Sequence, residues 1–221
     1  MTTQPQKPSA SLIEFTTGDV VLNFSALVKM QPSFKPRGTP QFDAEGRQLN
    51  PESGKPLEMS YQATLLIDPK SDLARYKNAM RAATLEKFNG QIPKGMKPMP
   101  LRSCDEKDYY ADLPGWFFLG TKNTGVQPVL VGPDRLPLAA EKFYDGCVVR
   151  ARIKAWVYSN AFGKGVSFEL LGLQFVRDGQ KRAGSRGTTT AEAAFEALEL
   201  PPELGPSQTN AAAGAEWDPF A

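Results

Sequence analysis

Residues 147–158 read CVVRARIKAWVY, and the pattern of these twelve residues indicates the architecture of the protein. Over these twelve residues, small and aliphatic side chains at the odd positions alternate with mostly charged and aromatic ones at the even positions. A period of two is typical of a strand with one face in a core and the other toward solvent. Turn residues at 160–165 and a second apolar segment at 166–177 then predict the returning strand of a β-hairpin.

The residues at the even positions of this strand indicate a binding surface. Its cations and aromatic residues are Arg150, Arg152, Lys154, Trp156 and Tyr158. Neighbouring like charges repel and exposed rings are unfavourable in water, so the combination favours a ligand. Single-stranded nucleic acid suits both groups, because cations neutralise phosphates while rings stack on bases. The competing interpretation is that the rings pack under a loop or the helix and that the cations keep an edge strand soluble.

Two loops repeat the pairing of aromatic and basic residues. Phe162 and Lys164 lie at the predicted hairpin tip, which places them beside the same face. An earlier loop contributes Phe34, Lys35 and Arg37. Lys122 is a further candidate, although the alternation around it does not fix which face it takes. Together with the strand, these residues form the predicted DNA-binding surface.

Two more strands are predicted nearer the start of the chain, over residues 19–30 and 57–67. In the first, the alternation puts Phe24 on the same side of the strand as Val20 and Leu22. The segment between them, residues 31–56, is rich in proline, glycine and charge. It is therefore interpreted as a long mobile loop or an extended hairpin.

Helical periodicity occurs with clear end signals only at residues 72–88, with an N-cap at Ser71 or Asp72 and a stop at Asn89-Gly90. Residues 93–114 hold four prolines and many charges, and predict a connection without regular structure. Strands thus outnumber helices. The fold class expected is mainly β, a barrel-like arrangement with one inserted α-helix.

Charge is divided unevenly along the chain. Residues 1–186 hold all 26 basic and 18 of the 24 acidic residues, a net charge of +8, whereas residues 187–221 carry only six acids. A basic body suggests a polyanionic partner, and an acidic tail suggests self-masking or a second partner. We expect a flexible N-terminus at 1–17, one domain at 18–182 and a flexible, disordered acidic tail at 183–221.

Several function classes are disfavoured by what the sequence lacks. The chain has no histidine, only two cysteines, and no catalytic or nucleotide-binding motif, so no enzyme activity, metal or cofactor is expected. A nuclease built on Asp105, Glu106 and Asp108 is a weaker alternative, because these acids lie in a predicted flexible stretch. No apolar segment reaches membrane-spanning length, which predicts a soluble, cytoplasmic protein.

Several short motifs resemble one known family. They are Lys142-Phe143-Tyr144-Asp145-Gly146-Cys147, Gly163-Lys164-Gly165-Val166-Ser167, Arg177-Asp178-Gly179, Leu65-Leu66-Ile67-Asp68-Pro69-Lys70 and Leu101-Arg102. In order and spacing they are similar to the phage single-stranded DNA-binding family first catalogued as a domain of unknown function. The resemblance runs from about Val20 to Gly179. It implies an OB-fold, a five-stranded Greek-key barrel, related to that of T7-like phage binding proteins.

The resemblance also implies a function. Members of such families bind single-stranded DNA without sequence preference in replication and recombination, inside the infected bacterial host. Their acidic tail contacts replication enzymes and competes with DNA, which points to Glu216, Trp217, Asp218, Pro219 and Phe220 as partner-binding residues. The tail departs from the pattern, since its acids are scattered and an alanine follows Phe220. An adaptor with an aromatic protein interface is the alternative, and self-association on DNA is left open.

Overall fold

The computed structural model describes residues 10–32, 39–51, 53–160 and 163–182, all within the first unit of the chain, residues 1–186. Its helices are α1 (Ala10–Ile13) and α2 (Leu73–Lys87). Its strands are β1 (Glu14–Thr16), β2 (Val20–Pro32), β3 (Met59–Ile67), β4 (Leu101–Ser103), β5 (Phe117–Asn123), β6 (Val129–Val131), β7 (Val148–Asn160) and β8 (Gly163–Arg177). Short 3-10 turns occupy Cys104–Glu106, Asp108–Tyr110 and Ala140–Lys142.

Five of the strands close into a barrel. β2 pairs antiparallel with β3, β3 with β5, β8 with β7, and β7 with β2, while β5 and β8 run parallel. This order, with the single parallel pair between the third and fifth barrel strands, is the five-stranded Greek-key barrel of an OB-fold. The predicted fold class is therefore confirmed.

The alternation predicted for β7 is confirmed along most of the strand. Val149, Ala151 and Ile153 are fully buried in the barrel, whereas the even positions from Arg150 to Trp156 are exposed. Val148 is the exception, since it is buried although it belongs to the even-numbered face. β8 flanks β7 along its whole length and β1 pairs with its other edge, so β7 is not an edge strand.

Helix α2 covers one side of the core. It begins where the side chain of Asp72 accepts the backbone N–H of Arg75, and it ends before Asn89 and Gly90, both of which have positive φ. Its buried face includes Tyr76, whose ring lies 6.5 Å from that of Phe168 in β8. The predicted bounds and caps of this helix are confirmed.

Residues 10–17 belong to the folded domain, which corrects the flexible N-terminus expected at 1–17. Phe15 in β1 is 2% exposed, and its ring lies 5.2 Å from that of Tyr76. Its backbone pairs with Ile153 of β7. A three-residue strand is too short for its periodicity to be recognised, so it could not be predicted from the sequence pattern.

Phe24 does not share the buried side of Val20 and Leu22, which corrects the alternation predicted for this strand. Val20 and Leu22 are buried, but the pairing of β2 with β3 shifts register between Asn23 and Ala26. The resulting β-bulge leaves Phe24 44% exposed at φ +46°. A bulge reverses the alternation after it, and the sequence pattern does not reveal where a bulge falls.

The connection at residues 93–114 contains regular structure, contrary to the prediction. β4 pairs with β5, and the two following 3-10 turns cover part of the outside of the barrel. A second apolar cluster forms there from Leu66, Cys104, Tyr110 and Phe118. The first long loop takes the predicted extended-hairpin form where it is described, with bridges from Phe42 to Gln48 and from Leu49 to Pro56.

Candidate nucleic-acid interface

The start of β7 is fixed by the motif that carries the family resemblance. The Tyr144 hydroxyl donates to Asp178 and accepts the N–H of Gly179, at 3.0 Å each. Gly146 has φ +114°, and a Cβ there would collide with the carbonyl of Gln180. We call Tyr144, Asp145, Gly146, Asp178 and Gly179 the β7–β8 joint. It holds the beginning of β7 against the end of β8, which sets the parity of the outer face.

Arg150 and Arg152 each have an acidic partner supplied by the chain just before the barrel. The Arg150 Nε lies 2.8 Å from the Asp19 carboxylate, and Arg152 donates to Glu14 at 2.8 and 2.9 Å. All four side chains are more than a third exposed. These pairs explain how adjacent arginines are tolerated on one strand face. Exposed ion pairs contribute only about 0–1 kcal/mol, so a phosphate can replace the carboxylate at little cost.

Lys154 is the one cation on this strand without an ion pair among the described residues. It lies opposite Glu169 of β8 in the register. Lys122 is now placed on the outer face of β5, because it pairs with Gln62 and Glu169 while its neighbour Thr121 is buried. The Lys122 Nζ is 3.2 Å from Glu58. The outer face therefore carries cations and carboxylates in similar number, and is less basic than the sequence suggested.

The two aromatic residues of β7 differ in exposure. Trp156 is 38% exposed, whereas Tyr158 is half-buried beside it, with 6.0 Å between ring centroids. The Tyr158 ring lies over Gly165 of β8, where any Cβ would collide with it. Trp156 is thus the ring available to stack on a base, and Tyr158 supports it from the side.

A trough of small side chains leads away from Trp156 across the sheet. Trp156 pairs with Ser167, and Thr64 pairs with Gly120. Thr121 pairs with Phe168 in parallel, which places the preceding residues, Gly120 and Ser167, side by side. Gly120 is exposed, and Thr64 and Ser167 are half-buried. This row gives an extended ligand access to the backbone of four barrel strands; in OB-folds the second and third strands and two loops bind oligonucleotides.

Lys164 lies on the opposite face of the hairpin from Trp156, which corrects the shared face expected for it. It pairs with Ser159, and its Nζ lies 5.7 Å from the Phe88 ring at the end of α2. Its carbonyl also accepts the N–H of Lys97 at 2.8 Å. The contact with the Phe88 ring directs the Lys164 side chain toward the end of α2. The remaining predicted site residues, Phe162, Phe34, Lys35, Arg37 and Glu216 to Phe220, lie outside the described residues.

Phe24 and Tyr109 are exposed rings that sequence reasoning left out of the site. They are 44% and 58% exposed, and their centroids lie 5.9 Å apart in an edge-to-face arrangement. The alternation groups Phe24 with Val20 and Leu22, and Tyr109 lies in a segment for which no regular structure is predicted. The aromatic doublet Tyr109-Tyr110 was the available signal, because only one of two adjacent rings is readily buried.

Asp105, one of the three acids considered for a nuclease, takes part in local structure. The Asp105 carboxylate accepts the N–H of Gly115 at 3.0 Å and the hydroxyl of Ser103 at 2.8 Å. The Gly115 hydrogen bond is the main cause that lowers the pKa of Asp105. Within the described ranges, no three His, Cys, Asp or Glu side chains are grouped to hold a metal ion. No helix there is both long and apolar enough to cross a membrane.

The barrel, its inserted helix and its outward aromatic strand define an OB-fold protein with an exposed strand face. A family model described as the ssDNA-binding protein of Enterobacter phage Enc34 matches residues 46–204, well over half of the chain. The chain belongs to this family, as the sequence motifs indicated.

Solved structures share the fold. The single-stranded DNA-binding protein from bacteriophage Enc34 aligns with a TM-score of 0.57 and 18% identity, over 81% of this chain and 89% of that one. The same phage protein in complex with ssDNA aligns with a TM-score of 0.56 and 19% identity, over 77% and 90%. Protein p50 of Acyrthosiphon pisum secondary endosymbiont phage 1 is 33% identical over 123 residues, which are 54% of this chain and 63% of that protein.

Proposed function

We propose that this protein binds single-stranded DNA across the outer face of β7, β8, β5 and β3. Trp156 stacks on a base, and Arg150, Arg152, Lys154 and Lys122 contact phosphates. The observation that carries the proposal is Trp156, a ring 38% exposed on a face with alternating cations. Stacking recognises every base, so binding does not depend on sequence.

Two further observations support this function. The chain belongs to a family described as ssDNA-binding, and a protein with the same fold has been solved with ssDNA bound. The ion pairs of Arg150 and Arg152 hold both guanidinium groups in place on the strand face. Both arginines are then oriented before the DNA binds, and phosphate groups of the DNA replace Glu14 and Asp19 as their partners.

The direct test is a titration of fluorescent oligo-dT with the wild-type protein and Trp156→Ala. Loss of one stacking ring costs about 1–3 kcal/mol, which corresponds to roughly 5- to 150-fold weaker binding. Tyr61→Ala is the control, since Tyr61 has the inward parity of its strand. The two variants are compared at equal folded fraction. A wild-type protein that leaves oligo-dT unbound would overturn the proposal and leave the adaptor alternative.

The biological role follows from binding of this kind. A sequence-independent binder coats and protects the single strands exposed during phage replication and recombination, without catalysing a reaction itself. The acidic residues of 187–221 would compete with DNA for the cations of the barrel and present Trp217 and Phe220 to replication proteins. The charge division between the two parts of the chain supports this role for the tail.

A further inference from the structure

The exposed ring pair Phe24–Tyr109 is held in place from two sides. Tyr110, 2% exposed, lies beneath it with its ring centroid 4.5 Å from that of Tyr109. The Tyr110 hydroxyl accepts a hydrogen bond from Asn23 Nδ2 at 3.1 Å. Both exposed rings therefore rest on buried, hydrogen-bonded structure. Exposed side chains that serve only solubility have no need of such support.

The backbone at Phe24 is also fixed, and in an unfavourable conformation. A φ of +46° is rare for any residue with a Cβ and rarer for a bulky one. Asp145, only 5% exposed, stabilises it by accepting the N–H groups of Phe24 and Ser25, at 2.9 and 3.1 Å, and the Ser25 hydroxyl at 2.9 Å. Strain held by a buried carboxylate, with the ring left in solvent, is typical of a functional position.

The ring pair lies on the outside of the barrel, as Trp156 does. Tyr110 contacts the ring of Phe118 at 5.4 Å, and Phe118 is on the outer side of β5. In the register, Asn23 of β2 pairs with Thr64, at the end of the small-residue trough that begins at Trp156. The route around the barrel from β2 through β3, β5 and β8 to β7 crosses four strand spacings, roughly 19 Å along the curved sheet. One nucleic-acid strand can therefore reach both aromatic positions.

Charge around the ring pair permits a base but gives little to a phosphate. Asp112 is held by Arg182 through hydrogen bonds of 2.7 and 2.8 Å, and the Arg182 guanidinium lies 5.9 Å from the Tyr110 ring. This pairing leaves that carboxylate neutralised. The groups available to a ligand are then the rings of Phe24 and Tyr109. The face of an aromatic ring suits an unpaired base rather than the phosphate backbone of the nucleic acid.

We propose that Phe24 and Tyr109 form a second base-stacking site for the same single strand that contacts Trp156. This inference rests on the proposed DNA binding at Trp156 and adds a second contact at the β2 end of the trough. The strand crosses the trough of Thr64, Gly120 and Ser167, with a stacked base at each end.

The test uses Tyr109→Leu and Tyr109→Phe in the full chain, with Leu136→Ala as a control at an exposed apolar position. Oligo-dT of about 16 and 4 nucleotides is used, the upper and lower range of site sizes for one OB-fold. Tyr109→Leu should weaken binding of the longer oligonucleotide about fivefold or more, and leave the shorter one, bound at Trp156, unchanged. Tyr109→Phe keeps the ring and should bind as wild type.

The possible results separate this inference from the proposed function. If the wild type binds, Trp156→Ala weakens binding and Tyr109→Leu matches wild type on both lengths, the second site is wrong and the first stands. Equal weakening on both lengths together with a lower melting temperature would show a structural role only, which also overturns it. A wild-type protein that binds neither length overturns the proposed function itself.

Discussion

At the level of single residues, the backbone conformation of Phe24 should lower the stability of the protein measurably. Its φ of +46° costs a residue with a Cβ about 1–2 kcal/mol, and glycine avoids that cost. Phe24→Gly should therefore be more stable than Phe24→Ala by about 1 kcal/mol in urea unfolding, although both lack the ring. If alanine is as stable as glycine here, the backbone is not strained in solution.

Lys154 tests the electrostatic part of the interface. Among the described cations of β7 it alone has no ion pair, so a phosphate contact there releases a counterion from DNA without displacing a carboxylate. Lys154→Gln should reduce the slope of log affinity against log salt by about 0.7. Lys77→Gln, an exposed change on α2, is the control and should leave the slope unchanged. Equal slopes for all three proteins would show that Lys154 does not contact a phosphate.

At the scale of elements, the β-bulge of β2 depends on one carboxylate from the β7–β8 joint. Asp145→Ala removes the acceptor of three hydrogen bonds and leaves their donors unpaired, which should cost about 2–4 kcal/mol of unfolding free energy. Ser25→Ala, which removes only the hydroxyl donor, should cost about 1 kcal/mol. Denaturant unfolding measures both. A loss for Asp145→Ala no larger than that for Ser25→Ala would contradict the anchoring role.

Strand β1, which the sequence pattern does not predict, should contribute to stability. Deleting residues 1–17 removes the buried ring of Phe15, and loss of a core phenylalanine side chain typically costs about 3–5 kcal/mol. Deleting residues 1–9 is the control and keeps both α1 and β1. Thermal unfolding should separate the two truncations clearly. Equal melting temperatures would mean that β1 is dispensable.

Long helices and strands with an unbroken pattern could be predicted from the sequence, whereas short or interrupted strands could not. Periodicity gave β7, β8 and the caps of α2, because each carries several consecutive residues of one pattern. The alternation could not locate the bulge at Phe24, the three-residue strand β1, or the acids that pair with Arg150 and Arg152. Those two ion pairs join residues more than 130 positions apart, and a local sequence pattern cannot reveal contacts over that distance.

At the scale of the whole molecule, both cysteines should be inert in the native protein. Cys104 and Cys147 are fully buried and unpaired, and burial raises the pKa of each thiol to about 11. Only the thiolate reacts, so alkylation at pH 8 should be slow and should accelerate as pH rises toward that value. Denatured protein is the control and should react at both positions. Rapid native labelling would indicate that the barrel opens readily.

The charge division predicts an effect of the tail. Removing residues from Thr188 onward deletes all six tail acids and should tighten binding to oligo-dT, most strongly at low salt. A full-length variant with those acids changed to glutamine or asparagine separates charge from length and should behave like the truncation. Unchanged or weaker binding by both would rule out self-masking and leave recruitment as the role of the tail.

The β7–β8 joint has a practical consequence for engineering. The motif residues Tyr144, Asp145 and Gly146 secure the frame by hydrogen bonds and close backbone contact, while the trough residues contribute little to the core. A combinatorial library can thus vary Thr64 and Ser167 with the joint left intact. Selection from such a library for preferred bases would turn a general binder into a reader of chosen sequences.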